Sequence, residues 1–378
     1  GGTVAGSGSV WLGRTEFDDF LPVGGHRVAA EVEEFGVFWE VWDVVEDEFD
    51  GPLPSSREVT YGAIRGMVGA LEDPNTFFSE PADREIERGR LEGHYGGIGI
   101  EDPSDLDFGP AEPVVRRVRP GSPADRSGIG PGDVLVQAEG ILLAHLSESQ
   151  VIALLRGPVG TELSLVVRRD RLVILSLRRE SIGSPTVAGE LLEEGVGYLS
   201  ISFFGEQTVA EVRAALANLA GARGLILDLR DAPGGIVEAA VGVADLFLDG
   251  GPIFIQRDAG GDERLFRARS GGPAEDFELV VLVNGGTASA AEILAGAFQD
   301  LGRATLVGER TFGKGSVQRI HQLSDGSSIH VTVSVWLTPD RREIEGAGLS
   351  PDLVVPSPGE DSDEDPALDS ALAMLSGS

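Results

Sequence analysis

Ser289 and Lys314 are the pair on which a reaction can be built. A serine hydroxyl is a poor nucleophile and needs a base within hydrogen-bond reach. Lys314 is the sole lysine of the 378-residue chain, and every other member of the thirty Lys plus Arg is an arginine. Arginine keeps its proton in a protein, whereas a lysine amine can be tuned into a base. That tuning moves the amine from about 10.4 toward roughly 7–8, about 4 kcal/mol, by burial away from carboxylates. Lys314 sits in Thr311-Phe312-Gly313-Lys314-Gly315-Ser316, twenty-five residues after Ser289. Its flanking glycines leave the backbone free to approach something closely. On a strand, residues 314, 316 and 318 share one face, so Gln318 is placed to orient the amine without raising its pKa. Taken alone, Ser289 reads as a helix cap and Gln318 as a polar strand residue. It is the conjunction that points to hydrolysis.

The elements that must position these groups are legible around them. Ser289 lies between the strand-like run Leu279–Val283 and the helix-like run Glu292–Leu301, in Thr287-Ala288-Ser289-Ala290-Ala291-Glu292. A helix N-terminus there aims free backbone N–H groups at a developing oxyanion. Arg230-Asp231-Ala232-Pro233-Gly234-Gly235 follows the strand-like Leu225–Leu229. Its glycines permit a sharp turn whose N–H is a second oxyanion donor, though such a turn is also a common strand-to-helix connection. Tyr95-Gly96-Gly97-Ile98-Gly99-Ile100 alternates glycine with large apolar residues, a pattern able to present N–H groups to a terminal carboxylate with strand addition alongside.

Composition removes several function classes. Net charge is −32, a field that repels phosphates and anionic lipid, so nucleic-acid binding is not expected. With no cysteine there is no disulfide, thiolate metal site or cysteine nucleophile. The five histidines, His26, His94, His145, His321 and His330, form no metal-ligand pair, and no metal or cofactor is expected. Gly308–Gly315 nearly matches the phosphate loop G-x-x-x-x-G-K-[ST]. It puts Gly315 where a Mg²⁺-binding hydroxyl belongs, and a β-like segment follows it where a helix is required. No run of eighteen apolar residues exists. The chain opens without an initiator Met, which points to a missing N-terminal segment such as a signal or anchor.

Periodicity divides the chain. Residues 1–25 are a Gly-rich lead-in. Phe35, Phe38, Trp39, Trp42, Val45 and Phe49 make an apolar stripe at helical spacing, expected in a core or a partner interface. A second helix covers Val59–Leu71, and Glu80–Glu92 reads as a solvated helix. Short strands at 114–118, 134–138, 162–168 and 172–177, with a helix near 147–155, make a small β-rich module. From Gly195 buried-type strands alternate with helices, an α/β layer pattern. One of those helices, near Thr208–Ala220, opens with a capping box, Thr208-Val209-Ala210-Glu211. After Pro356 come the acidic segment Glu360–Asp365, expected as a loop, and a short helix carrying Ala367, Leu368, Leu372 and Leu375.

Together these segments resemble the C-terminal processing peptidases, tail-specific serine proteases with a PDZ domain, over roughly Phe38 to Val355. Val283–Ile293 resembles the family's nucleophile segment, Val307–Gln318 its lysine and glutamine segment, and Asp228–Gly235 its oxyanion loop. Leu337-Thr338-Pro339 and Gly348–Asp352 resemble its closing strands. Thr287 and Ala291 stand where the family usually has serines, and Asp231-Ala232 where it commonly has two asparagines. The resemblance implies a crotonase-like α/β protease core (183–356) and a PDZ domain (94–182). Before them lies an N-terminal helical region (26–93), and after them an acidic loop with a C-terminal helix (357–378).

The resemblance also implies Ser289 as nucleophile, Lys314 as general base and Gln318 as its orienting partner. The N–H groups of Ala290 and of Gly234 or Gly235 become the oxyanion hole. The implied substrates are proteins with exposed apolar C-terminal tails, cleaved outside the cytosol on the periplasmic, cell-envelope or secreted side, without metal or nucleotide. The PDZ domain recognises the tail through Tyr95–Ile100 and gates the active site, with Arg156 as a link from PDZ to core. On the sequence alone Arg156 reads as a solvated turn residue. Apolar-striped terminal helices point to a homodimer. The competing reading is a catalytically inactive PDZ adaptor that binds peptides.

Overall fold

A computed structural model of the chain describes residues 33–108, 112–192, 195–357 and 364–376. The lead-in expected for residues 1–25, and most of the acidic segment expected at Glu360–Asp365, lie outside the described residues. The described residues form two compact units: residues 33–80 with Arg319–Val331, and Pro81–Gln318 with Thr332 onward.

In the first unit two helices, Glu33–Glu48 and Ser56–Gly69, precede the strand Phe77–Ser79. Ser55 caps the second helix through a box with Glu58, whose carboxylate takes the Ser55 N–H at 2.7 Å. Phe77–Ser79 pairs antiparallel with residues 328–330, and the Tyr61 hydroxyl donates to Asp325 at 2.6 Å. The aromatic stripe is not core here: Phe35, Trp39 and Phe49 are 49, 54 and 58% exposed.

The second unit is built on a six-stranded sheet in the order 187–191, 197–201, 224–228, 278–283, 305–308, 353–354. Only the first pair is antiparallel. Both faces are covered, which is why Leu225–Leu229 and Leu279–Val283 read as nearly continuous apolar runs. Leu225, Leu227, Leu279, Val281 and Val283 face the helices Thr208–Asn218, Val237–Phe247 and Ala290–Asp300. The alternate residues Ile226, Val280 and Leu282 meet Ala367, Ala371 and Leu375 of the C-terminal helix Pro366–Ser376. That helix therefore spends its apolar stripe on the chain's own sheet. Arg230 clips it in place, bonding Asp228 and Asp365, and these two carboxylates hold the Arg230 guanidinium charged.

Two expectations are corrected. The Thr208–Glu211 capping box does not form; the helix starts after Gln207 with no side-chain cap. The Thr208 hydroxyl accepts the Gly205 N–H at 2.8 Å, while Glu211 turns to the N–H and hydroxyl of Thr186, both at 2.8 Å, which outcompete its own helix end. The helix Pro81–Glu92 is not merely solvated, since Arg84, Gly89 and Leu91 are buried.

Within the same unit, strands 106–107, 114–115, 134–138, 162–168 and 172–178 form an antiparallel sheet around a separate apolar core. The helix Glu148–Leu155 is capped by a Ser147–Gln150 box. Strands His94–Gly97 and Glu180–Gly183 pair antiparallel, joining the chain where it enters and leaves this sheet.

Candidate active site

Three adjacent parallel strands end side by side, and each delivers one part of the candidate site from its carboxyl end. Strand Gly224–Asp228 feeds residues 229–235, Glu278–Val283 feeds 284–289, and Thr305–Gly308 feeds 309–315. In open α/β sheets this edge is where ligands bind.

Ser289 is the N-cap of the helix Ala290–Asp300, with φ +54° and ψ −119°. A non-glycine residue held there costs on the order of 1–3 kcal/mol and persists only when its surroundings enforce it. The enforcing contacts are visible. The Thr287 hydroxyl, fully buried, donates to Leu229 O at 2.8 Å and accepts the Asn284 N–H at 3.0 Å. Asn284 Oδ1 accepts the Asp231 N–H at 2.9 Å and its amide returns a bond to Asp231 Oδ1 at 3.0 Å. The Ala288 N–H reaches Ala232 O at 2.9 Å. The turn carrying Ser289 is thereby sewn to the loop that carries Gly234.

The Ala290 N–H, first of its helix, has no acceptor within it. Gly234, at φ +100°, lies against it: a Cβ at Gly234 would stand 2.7 Å from Ser289 Cβ and 2.9 Å from the Ala290 nitrogen. Gly235 packs instead on Phe204, whose N–H bonds Gly234 O at 2.8 Å and whose carbonyl accepts Ile236 N–H at 2.7 Å. A cavity of about 560 Å³ opens beside this loop, lined among others by Arg90, Asp102, Arg119, Phe203, Asp231 and Pro233.

Lys314 is half-buried, and burial pushes its amine below the usual lysine range against the opposing pull of Glu345 and Glu87. Its flanking glycines admit the chain's own segment 344–348. At Gly313 (φ +91°) a Cβ would stand 2.7 Å from the Gly348 nitrogen, and at Gly315 2.8 Å from the Glu345 nitrogen. Trp336 fixes the far side, donating its indole N–H to Lys314 O at 3.1 Å. Lys314 precedes the strand Ser316–Gln322 instead of sharing a strand face with Gln318, and the Gln318 amide donates to Ser316 Oγ at 2.8 Å. That strand, where a helix would have to follow, also removes the phosphate-loop reading of Gly308–Gly315.

The residue that sequence reasoning passed over is Glu292. Its fully buried carboxylate accepts the Ser289 and Lys314 N–H groups on one oxygen, each at 2.9 Å. The other oxygen takes the Gly313 N–H at 2.8 Å and the Thr311 hydroxyl. The backbones of Ser289 and Lys314 are thus two hydrogen bonds apart, through one atom. The S-x-x-E spacing of Ser289–Glu292 was the available signal. Burial pushes this carboxyl up, opposed by the four donors.

Arg156 is buried, not solvated. Its guanidinium lies 3.8 Å from the Tyr95 ring centroid and donates to Ile86 O at 3.4 Å and Glu101 O at 3.2 Å.

Residues 195–355 match the model of peptidase family S41, and residues 114–169 that of the PDZ domain. The carboxyl-terminal-processing protease of Synechocystis sp. is 38% identical over 84% of this chain and 75% of its own length. The chain belongs to peptidase family S41. The carboxy-terminal processing protease CtpA of Bacillus subtilis is 34% identical, over 77% of this S41 chain and 63% of that protein. Among solved structures, a photosystem II D1 C-terminal processing protease is 30% identical, covering 86% of this chain and 94% of that one, with a TM-score of 0.49. This S41 chain is a serine-type peptidase of the C-terminal-processing kind, an S41 fold with a PDZ domain. No helix among its described residues is long and apolar enough to cross a membrane.

Proposed function

We propose that this peptidase works through a Ser289–Lys314 dyad, and that its PDZ domain reads the substrate's C-terminal tail and gates the dyad. The observation that carries the dyad is Glu292, which bonds both partners' backbones through a single oxygen. Neutral Lys314 takes the Ser289 proton as Oγ attacks the peptide carbonyl. The oxyanion is received by the N–H of Ala290 and of Gly234 or Gly235. The protonated amine then gives its proton to the departing amine, leaving an acyl-enzyme, and Lys314 next activates the hydrolytic water. Gln318 orients the amine once its amide turns from Ser316. Incubating the full chain with an unstructured protein bearing an apolar C-terminal tail, beside Ser289→Ala and Lys314→Ala, tests this. Cleavage by the parent alone is expected; cleavage by either variant at the parent rate refutes the dyad, and tail binding with no turnover favours the adaptor.

The two carboxylates near Lys314 supply a sharper test. Each holds the amine up, so removing them lowers its pKa further. The acid limb of the kcat/KM profile of a Glu87→Gln, Glu345→Gln double variant should move to lower pH. A limb that stays in place means that Lys314 is not the titrating base.

Arg156 offers a gating route: it touches Tyr95 and Glu101 on one side and the helix Pro81–Glu92 on the other, and that helix carries Glu87. The exposed stripe of Glu33–Glu48 supports homodimerisation through that helix. Light scattering should give twice the chain mass, reduced to one by Phe35→Glu with Trp39→Glu; an unchanged mass excludes this helix as the contact. The substrates proposed are proteins met outside the cytosol.

A further inference from the structure

The loop read as the tail receptor already holds a carboxylate. The N–H groups of Ile98, Gly99 and Ile100 converge on one point, the geometry of a backbone nest that suits an anion. Glu101 fills it. Its Oε1 accepts the Ile98 N–H, and its Oε2 accepts those of Gly99 at 2.7 Å and Ile100 at 2.9 Å. The side chain is fully buried, and at Gly97 even a Cβ would stand 2.6 Å from Oε1. Among the described residues no arginine forms an ion pair with this carboxylate; Arg156 bonds the Glu101 backbone carbonyl instead. Burial pushes the Glu101 carboxyl up, opposed by the N–H groups of Ile98, Gly99, Ile100 and Glu101 itself.

We propose that Glu101 is an internal stand-in for the substrate's C-terminal carboxylate, and that a tail engages this loop only by displacing it. The inference rests on the reading of Tyr95–Ile100 as the tail receptor. One carboxylate replaces another on the same three donors, so the exchange is nearly neutral in hydrogen bonds. The gain must come from the apolar side chains of the tail. Glu101 is then a specificity-determining residue: tails that bring a carboxylate but little apolar surface do not dislodge it. Because Arg156 bonds the Glu101 carbonyl, displacement also disturbs the contact between this loop and the helix Pro81–Glu92.

The test is peptide affinity. A labelled peptide with an apolar C-terminus, as free acid and as amide, is titrated into the full chain carrying Ser289→Ala, alone and with Glu101→Gln or Glu101→Ala. Apparent affinity falls by the fraction of loops that are open. Removing the occupant should therefore tighten the free acid about tenfold or more and leave the amide unchanged. Glu101→Gln keeps the shape while setting an NH₂ against N–H donors, so it reports even where Glu101→Ala melts early. Unchanged or weaker free-acid binding in a folded Glu101→Gln chain overturns the inference and leaves Glu101 a residue that shapes the loop. If the parent and both variants bind neither peptide, the tail-receptor reading falls and this inference with it.

Discussion

Lys314→Arg removes turnover, by about 10⁴-fold or more, and leaves the fold intact. Positive charge is retained, so an electrostatic role for the lysine would survive the change. A base role does not, because a guanidinium does not surrender its proton near neutral pH. The segment is held by its backbone: Lys314 N–H on Glu292, Lys314 O on the Trp336 indole, and Gly313 and Gly315 against residues 344–348. None of these contacts uses the side chain, and the thermal midpoint should move by less than about 3 °C. A Lys314→Arg chain that retains more than about one per cent of the parent kcat/KM places the base elsewhere. The composition adds an independent readout. Apart from the α-amino group, Lys314 is the only amine in the chain, so the pH dependence of its acylation, read on the peptide that carries it, reports its pKa. Burial predicts a midpoint below the ordinary lysine value.

Much of this arrangement was legible before any fold was known, for reasons that can be stated. Leu225–Leu229 and Leu279–Val283 are apolar on both faces because helices cover both, and that reads directly from the chain. Ser289 and the glycines of 234–235 each sit just past such a strand, so short-range pattern places them at one sheet edge, whereas the four-residue strand Thr305–Gly308 before Lys314 is too short to stand out in the chain. What failed to read was whatever depends on residues remote in sequence. The glycines beside Lys314 look like freedom for a ligand, and only the return of residues 344–348 reveals them as close packing. Gln318 was assigned by its strand face, but Ser316, two residues before it on that face, takes its amide. Thr208 and Glu211 have the spacing of a capping box, yet Thr186 and Gly205 offer them other partners. Arg156 looks like a turn arginine until Tyr95 and the helix Pro81–Glu92 close over it.

Glu292 is where the second large effect is expected. Glu292→Ala leaves three buried backbone N–H groups and the Thr311 hydroxyl without their acceptor. Each buried donor left unmade costs about 1–3 kcal/mol, so a loss of about 3–5 kcal/mol is expected even with partial relaxation. Glu292→Gln is milder, and its geometry is forced. An amide offers one oxygen, which can keep the Ser289 and Lys314 N–H groups, while its NH₂ must then face Thr311 and Gly313. The Thr311 hydroxyl, which already accepts the Leu349 N–H at 2.7 Å, has a second lone pair to offer; the Gly313 N–H has nothing to accept with. Two donors, the Gly313 N–H and the Thr311 hydroxyl hydrogen, lose their acceptor rather than four, and with the hydroxyl free to rotate stability should fall by about 1–3 kcal/mol. The kinetic order follows the same logic, since Glu292 touches no reacting atom and acts by positioning. A displacement of about 1 Å between nucleophile and base is worth about 100-fold. Thus kcat should fall about 100-fold in Glu292→Ala and by about tenfold or less in Glu292→Gln, with KM for a tailed substrate nearly constant in both. A Glu292→Ala chain that is destabilised but keeps the parent kcat at a temperature where it is folded would make the carboxylate a structural clamp alone. If instead kcat tracks the number of donors left satisfied, the bond from one oxygen to both Ser289 and Lys314 is what holds the dyad in register.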